Sequence, residues 1–344
     1  MTHRLARPSL CFALTLIVAT LAMARGATVE ADDFFAKKDL TIIVGSSTGG
    51  GYDTYGRLLA RHMGHHLEGN PSVIVSNSVG AAGLKAANDL YNVAPRDGST
   101  ILTPNRNIPT EPLFGNEAAR YDALKFNWIG SMNNEVSVCG VWSTAPVNNL
   151  HDMQTRGMVV GGSSSGDDSI VFPKILNALL GTKLKIVSGY PGGNDINLAI
   201  ERGEVEGRCA LSYSSILATR PQWLAEKKLR IILQLSFDKH PDLPDVPTIL
   251  EVGGKDKEGA LRLIFARQLW GRPFIAPPAV PTARIEQLRT AFMDTMADKD
   301  FMAEADKARI EIHPVSGPEI EKVVKTLYAL PKDVVASAKA AMQE

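Results

Sequence analysis

Residues 40–53, LTIIVGSSTGGGYD, decide the fold, because a short hydrophobic run there ends in consecutive glycines. The run 40–44 is rich in β-branched residues, which is typical of a buried strand. After the glycines, apolar residues recur every three or four positions from Tyr55 to Leu67, and this period predicts an amphipathic helix. A strand that leads through a glycine-rich turn into a helix is the first half of a βαβ unit.

The same order of elements repeats along the chain. Further strands are predicted at residues 72–76, 99–103, 158–160, 184–187, 205–211 and 230–235. Single helices between strands favour parallel sheets with helices on their faces. At 344 residues the chain exceeds what one hydrophobic core usually serves. The predicted fold class is therefore α/β, with two halves that are built alike.

The N-terminus has the pattern of a signal peptide. Arg4 and Arg7 precede an apolar run at residues 9–24, which is shorter than the roughly 20 residues of a spanning helix. Residues 22–24, Ala-Met-Ala, give the small-x-small motif that signal peptidase recognises. We expect residues 1–24 to be cleaved and the mature chain to be exported. An uncleaved membrane anchor is the alternative.

Charge and cysteine content exclude several classes of protein. Lys and Arg together number 37, as do Asp and Glu, so the chain has no formal net charge. It lacks the basic field that nucleic-acid binding requires. Three cysteines are too few for a disulfide scaffold or a cysteine-rich zinc module. In an oxidising compartment Cys139 and Cys209 either form a disulfide or stay free thiols, and their spacing leaves both open.

Four glycine-rich turns carry the predicted binding function. They lie at residues 46–51, 79–83, 162–166 and 189–195, each after a predicted strand. At the carboxyl end of a parallel strand, the unpaired N–H groups and the dipole of the next helix attract anions. Glycine lets an anion approach the main chain, and serine or threonine adds a hydroxyl donor. Two turns fall in each half, so we expect a ligand to bind between the halves.

The candidate ligand-binding residues come from these turns and from the strands beside them. From the first half they are Ser47, Thr48, Gly49, Gly50, Gly51, Asp53, Gly80, Ala81, Ala82, Gly83 and Asn105. From the second half they are Ser163, Ser164, Ser165, Gly166, Tyr190, Gly192, Gly193, Asn194, Asp195 and Arg208. No metal site and no cofactor is predicted, because the glycine spacing matches neither a Walker A loop nor a dinucleotide fingerprint.

Some of these side chains have two interpretations. Asp53 and Asp195 either cap a helix or contact the ligand directly, and the sequence leaves both open. Arg208, inside an apolar strand, is predicted to bind a carboxylate through its guanidinium, whereas the role of Arg106 stays undecided. Tyr190 either walls the site or packs in the core.

One motif suggests an enzyme instead. Residues 162–166, GSSSG, form a G-x-S-x-G pattern between a strand and a helix, as in the nucleophile turn of serine hydrolases. Ser164 is then the nucleophile, His240 or His313 the base and Asp195 the orienting acid. Three consecutive serines look more like a donor-rich turn than one presented nucleophile. We therefore keep an exported serine hydrolase as the alternative and do not expect an enzyme.

Five segments, taken in order, resemble the Bug-type solute receptors of tripartite tricarboxylate transporters. They are SSTGGGYD (46–53), NSVGAAG (77–83), APRDGST (94–100), GYPGGND (189–195) and RPFIAPPAVP (272–281). Each is weak alone, but the ordered set spans essentially the whole mature chain. The resemblance implies a two-lobed periplasmic binding protein of type II, a Venus flytrap, that closes on a small carboxylate. It also implies a monomer in the periplasm, with the permease subunits of a membrane transporter as partners.

The resemblance also implies where the two lobes begin and end. Domain 1 is expected at residues 38–133 and 268–344 and domain 2 at residues 138–264, with hinges near 132–136 and 266–270. In this family, backbone amides and waters hold the carboxylate. The first turn departs from the family pattern because it reads GSST where a proline and an aromatic residue are usual. The fourth reads YPGGND instead of the commoner Tyr-Lys-Gly, so the identity of the carboxylate stays open.

Overall fold

The computed structural model describes residues 1–2 and 33–343. The predicted signal peptide, residues 1–24, therefore lies outside the described part except for its first two residues. Across the described part of the chain, no helix combines the length and the apolar character needed to cross a bilayer.

The strands of the described residues form two separate sheets. In chain order they are β1 (Leu40–Val44), β2 (Val73–Asn77), β3 (Thr100–Thr103), β4 (Asn127–Ser131), β5 (Ser137–Trp142), β6 (Met158–Gly161), β7 (Leu184–Val187), β8 (Gly207–Ser212), β9 (Leu229–Leu235), β10 (Pro273–Ala276) and β11 (Val315–Ser316). The first sheet has the order β11-β4-β10-β3-β1-β2, and the second has the order β7-β6-β8-β5-β9.

Helices alternate with these strands, which confirms the predicted α/β class. They are α1 (Gly51–His62), α2 (Leu84–Asn92), α3 (Leu150–Thr155), α4 (Asp168–Leu180), α5 (Gly193–Glu201), α6 (Tyr213–Thr219), α7 (Gln222–Ala225), α8 (Ile249–Gly253), α9 (Glu258–Phe265), α10 (Thr282–Ala297), α11 (Lys299–Lys307), α12 (Gly317–Tyr328) and α13 (Lys332–Gln343). The apolar period after the glycine triplet forms α1 and the 3-10 turn Met63–His66. Tyr55, Leu58 and Leu59 on α1 are fully buried.

Each sheet has a parallel part and an antiparallel part. β1 pairs in parallel with β2 and β3, and β6 pairs in parallel with β7 and β8. β10 runs antiparallel to β3 and β4, and β5 runs antiparallel to β8 and β9. The sheets are therefore mixed rather than mainly parallel, because β5 and β10 enter each sheet directly after the chain has crossed from the other one.

The chain passes between the sheets twice. β4 ends at Ser131 in the first sheet, and β5 begins at Ser137 in the second. The return path runs from β9 through α8, α9 and the 3-10 segment Ala266–Trp270 to β10. The predicted domain limits stay a prediction. The end of the chain connects both lobes, since α12 packs on β4 while α13 contacts α4 and α9.

A disulfide joins two central strands of the second sheet. Cys139 on β5 lies directly opposite Cys209 on antiparallel β8, and their sulfur atoms are bonded. Both side chains are fully buried. The structure thus resolves the two alternatives that the sequence left open in favour of the bridge, which closes a chain separation of 70 residues.

The disulfide makes a testable contribution to stability. A cross-link of this loop length stabilises a folded domain by about 2–4 kcal/mol, chiefly by constraining the unfolded chain. We expect a reductant to lower the free energy of unfolding of the exported chain by that amount in urea titrations. A variant with both Cys139→Ala and Cys209→Ala serves as the control and should not respond to the reductant. Identical unfolding of the unsubstituted chain with and without reductant would contradict the bridge.

Candidate functional site

The four glycine-rich turns meet around one cavity of about 260 Å³ between the two sheets. Two of the turns follow β1 and β2 in the first sheet, and the other two follow β6 and β7 in the second. The predicted residues that line the cavity are Gly50, Gly51, Gly80, Ala81, Ala82, Gly83, Asn105, Ser163, Ser164, Tyr190, Gly192, Gly193 and Arg208. The sequence-based grouping of the turns therefore corresponds to a shared crevice.

Other predicted residues lie beside the cavity without lining it. They are Ser47, Thr48, Gly49, Asp53, Ser165, Gly166, Asn194 and Asp195. Asn194 faces the opposite lobe, because its side-chain nitrogen lies 3.4 Å from the position that a Cβ on Gly49 would take. Thr48 and Ser165 are exposed. Parts of the first, third and fourth turns thus meet the other lobe or solvent, whereas residues 79–83 of the second turn all line the cavity.

Several helices begin at the cavity without a side chain that caps them. The residues preceding α1, α2, α5 and α6 are Gly50, Gly83, Gly192 and Ser212, and none of them makes a capping hydrogen bond. All four residues line the cavity. Helices α3, α8 and α11, in contrast, have side-chain caps. Uncapped first turns point N–H donors and positive dipole ends at the cavity, where an anion can satisfy them.

The second turn is held in a strained left-handed conformation. Gly80, Ala81, Ala82 and Gly83 have φ angles of 151°, 46°, 52° and 84°. Left-handed backbone is unfavourable for alanine by about 1–2 kcal/mol per residue. In this conformation, residues 80–83 form part of the cavity wall.

Arg208 brings a positive charge to the cavity from β8. Its only hydrogen bond among the described residues is a long one of 3.4 Å from Nη1 to the carbonyl oxygen of Gly193, and no carboxylate pairs with it there. Its buried Nε has no partner. Burial lowers the pKa of the Arg208 guanidinium, although the negative charge of Asp167 acts in the opposite direction. A desolvated cation without a counter-ion favours binding of an anion.

Arg208 has no ion-pair partner among the described residues, because two neighbouring carboxylates are taken by other arginines and a third caps a helix. Asp168 accepts Arg106 at 3.0 Å and Arg267 at 2.7 Å. Glu135 accepts Arg272 at 2.8 Å. Asp167 caps α4 through the N–H of residue 169. Of the arginines that line the cavity, Arg208 is therefore the one without an ion pair among the described residues, although the Asp167 carboxylate also lines the cavity and acts on it from a longer distance.

Arg106, whose role the sequence left undecided, is a structural link between the lobes. It follows β3 in the first sheet and is only 4% exposed. Its guanidinium pairs with Asp168 and donates to Ser137, at 3.2 Å, on β5 of the second sheet. Its main-chain N–H donates to the Tyr52 hydroxyl oxygen at 3.0 Å. Sequence reasoning could not find these partners, which lie 31 or more residues away along the chain.

Asp53 braces the first turn and does not line the cavity. Its Oδ2 accepts the Gly49 N–H and the Arg57 Nε, both at 2.9 Å, and its Oδ1 accepts the Asn77 amide at 2.9 Å. Asn77 also donates to the Ser46 carbonyl oxygen. Burial alone raises the pKa of the Asp53 carboxyl. The hydrogen bonds outweigh this effect and hold the pKa below its ordinary value. The observed contacts correspond to neither a helix cap nor a residue of the cavity wall: Asp53 supports the turn that precedes α1.

The geometry gives no base to the serine of the G-x-S-x-G motif. Ser164 lines the cavity, but no histidine of the described residues does. His240 Nε2 pairs instead with Glu311 Oε1 at 2.8 Å, and His313 is exposed, with its main-chain N–H donating to the carbonyl oxygen of Met132. Tyr190 lines the cavity and its hydroxyl donates to Glu204 at 3.3 Å.

Comparisons with known proteins agree with this architecture. The family described as "Tripartite tricarboxylate transporter family receptor" matches residues 56–336. A "UPF0065 protein in tcbD-tcbE intergenic region" of Pseudomonas sp. (strain P51) is 25% identical over 82% of this chain and 81% of the relative.

Two solved structures share the fold. The first is "Structure of periplasmic binding protein BugD", with a TM-score of 0.72 and 20% identity over 89% of this chain and 98% of that one. The second is MatC from Rhodopseudomonas palustris with bound malate, with a TM-score of 0.70 and 19% identity over 87% of this chain and 99% of that one. Both likenesses support two lobes built on mixed sheets.

The contacts of Asp53 predict a pH-dependent loss of stability. We expect Asp53→Asn to lower the free energy of unfolding by about 1–3 kcal/mol at pH 7, because an amide cannot accept from all three donors. A lowered native pKa stabilises the fold above the ordinary aspartate pKa of about 3.9, and this contribution disappears as pH falls through the native pKa. The difference from the unsubstituted chain should therefore narrow below about pH 4 in urea titrations. Asp89→Asn, at an exposed position, is the control. If the difference in free energy of unfolding between Asp53→Asn and the unsubstituted chain stayed constant with pH, the bracing role of Asp53 would be contradicted.

Proposed function

Since this chain belongs to the tripartite tricarboxylate transporter receptor family, we propose that it captures a small carboxylate between its two lobes and presents it to a membrane permease. The observation that carries this proposal is the unpaired Arg208 guanidinium in the cavity between the sheets. Arginine binds carboxylates through two parallel N–H donors, and the pair is stronger where water is excluded.

The size of the cavity favours a compact ligand. Its volume of about 260 Å³ lies just below the roughly 300–1,000 Å³ that is typical of small-molecule pockets. MatC from Rhodopseudomonas palustris was solved with malate, a compact acid, bound to it. An acid of similar size fits the cavity here, and which acid is bound is a question for a ligand screen.

The proposed mechanism uses the two lobes in sequence. The acid first docks on the uncapped first turn of α1 and the strained turn at residues 80–83, both in the lobe of the first sheet. The second lobe then closes and adds Arg208 and the first turn of α5. Because these contacts exist only in the closed state, the ligand shifts the equilibrium toward closure. Domains at residues 38–133 with 268–344 and at 138–264, moving about hinges near 132–136 and 266–270, are part of this proposal.

A binding role accounts for the site better than catalysis does. Among the described residues no histidine lines the cavity with Ser164, and the helix N-termini and Arg208 suit a stable anion. Family membership supports a periplasmic location, for which the pattern at residues 1–24 provides the route of export. Family membership also supports a monomeric receptor that has permease subunits as partners.

A thermal-shift screen of the exported chain tests whether it binds carboxylates. The panel contains mono-, di- and tricarboxylates, aromatic acids and, as uncharged controls, the corresponding amides. We expect one or more acids, and none of the amides, to raise the melting temperature, since a ligand that binds only the folded state stabilises it. Turnover of ester substrates without any acid that binds would favour the hydrolase instead.

Arg208 gives the sharpest single substitution. We expect Arg208→Ala to weaken binding of the acid found in the screen by about 10- to 100-fold, because a charge-assisted hydrogen bond contributes about 1.5–3 kcal/mol. Isothermal titration measures the loss. Arg202→Ala is the matched control, since Arg202 is exposed and pairs only with Glu204 on the surface. Equal affinity of Arg208→Ala and the unsubstituted chain would remove Arg208 from the site.

A further inference from the structure

At some glycines of the binding turns, an added Cβ atom would point at the opposite lobe. A Cβ placed on Gly192, in the second lobe, would collide with Ser47 of the first. A Cβ on Gly166 would collide with the carboxylate of Glu111, which precedes β4 in the first lobe. Neither glycine has a positive φ, so the backbone itself does not require glycine there.

The two collisions differ in how easily they could be relieved. Glu111 is only 7% exposed, and its two oxygens accept hydrogen bonds from Asn107, at 2.8 Å, and from Asn116. This carboxylate is therefore fixed in place. The hydroxyl of Ser47 is buried and has no hydrogen-bond partner, so its position is set by packing alone.

From these contacts we infer that Gly166 and Gly192 are positioning residues that set how far the two lobes close. The inference rests on the proposed function, since closure matters only if a ligand is held between the lobes. Gly166 does not line the cavity at all, although the sequence grouped it with residues that approach an anion. Its missing side chain lets the turn before α4 reach the first lobe. Arg208, on the same lobe, is thereby brought to the ligand.

The pair Ser47 and Gly192 allows a test by compensation. Gly192→Ala adds a methyl group against Ser47, and Ser47→Gly removes two of the three side-chain atoms that it would meet, leaving only the Ser46 hydroxyl oxygen at 3.1 Å. Overpacking of a closed contact costs about 1–3 kcal/mol, which corresponds to a factor of about 5 to 150 in affinity. We expect Gly192→Ala to weaken binding of the acid within this range and the double variant to restore most of the loss.

Three controls separate a role in closure from a role in folding. Gly259→Ala adds a methyl group at a site where nothing lies within 4 Å, and it should leave affinity within about twofold. Gly166→Ala should weaken binding, and Ser47→Gly should not rescue it, because its contact is Glu111. Without ligand, all variants should melt within a few degrees of the unsubstituted chain. With ligand, small-angle scattering should show contraction for the unsubstituted chain and the double variant but a reduced contraction for Gly192→Ala.

A second measurement tests the contact without any ligand. The Cβ atoms of Ser47 and a residue placed at 192 would lie 3.1 Å apart, close to the roughly 3.5–4.5 Å of a disulfide. A variant with both Ser47→Cys and Gly192→Cys should therefore form a cross-link between the lobes on mild oxidation.

The outcomes are distinguishable from failure of the proposed function. If no acid binds the unsubstituted chain, the proposed function fails, and formation of the cross-link alone decides whether the lobes meet at these residues. If acids bind but Gly192→Ala and Gly166→Ala retain full affinity and full contraction, the positioning role is overturned. Loss of affinity in Gly192→Ala that Ser47→Gly does not restore would overturn it as well.

Discussion

The burial of Arg106 between the two sheets is the interaction on which the site depends. Its guanidinium reaches from the first sheet to Asp168 and Ser137 in the second, and Arg267 shares the same carboxylate. Breaking such a buried pair costs about 3–5 kcal/mol, because one charge is left without a partner. The network holds the lobes together beneath the cavity. It also occupies the Asp168 carboxylate, so that Arg208 is left without an ion-pair partner among the described residues and a ligand can supply one.

Local sequence patterns were sufficient to predict the α/β class and the position of the four turns. β-Branched runs that end in glycine give strands β1, β6 and β7, and the apolar period from Tyr55 gives α1. These predictions depend on residues close together in the chain. Strands β4, β5 and β10 were not predicted, because they lie at the crossings between lobes and carry no glycine-rich turn. They make the sheets mixed rather than mainly parallel.

Side-chain roles within the turns were harder to predict, because they depend on contacts between distant segments. Arg208, an arginine inside an apolar strand and so an unusual placement, lies at the cavity, and its binding of a carboxylate stays a prediction. Asp53 instead supports its own turn through Asn77, and Arg106 finds partners on the other lobe. The glycines that sequence reasoning assigned to one purpose serve two: Gly80 and Gly193 line the cavity, Gly166 meets the opposite lobe, and Gly192 does both.

A crystal structure of the exported chain grown with the best acid of a ligand screen tests the central claim most directly. We expect the acid to lie inside the cavity, with one carboxylate bound to the Arg208 guanidinium and with main-chain N–H donors from both lobes around it. An acid bound on one lobe only, or outside the crevice with Arg208 still unpaired, would contradict capture between two closing lobes.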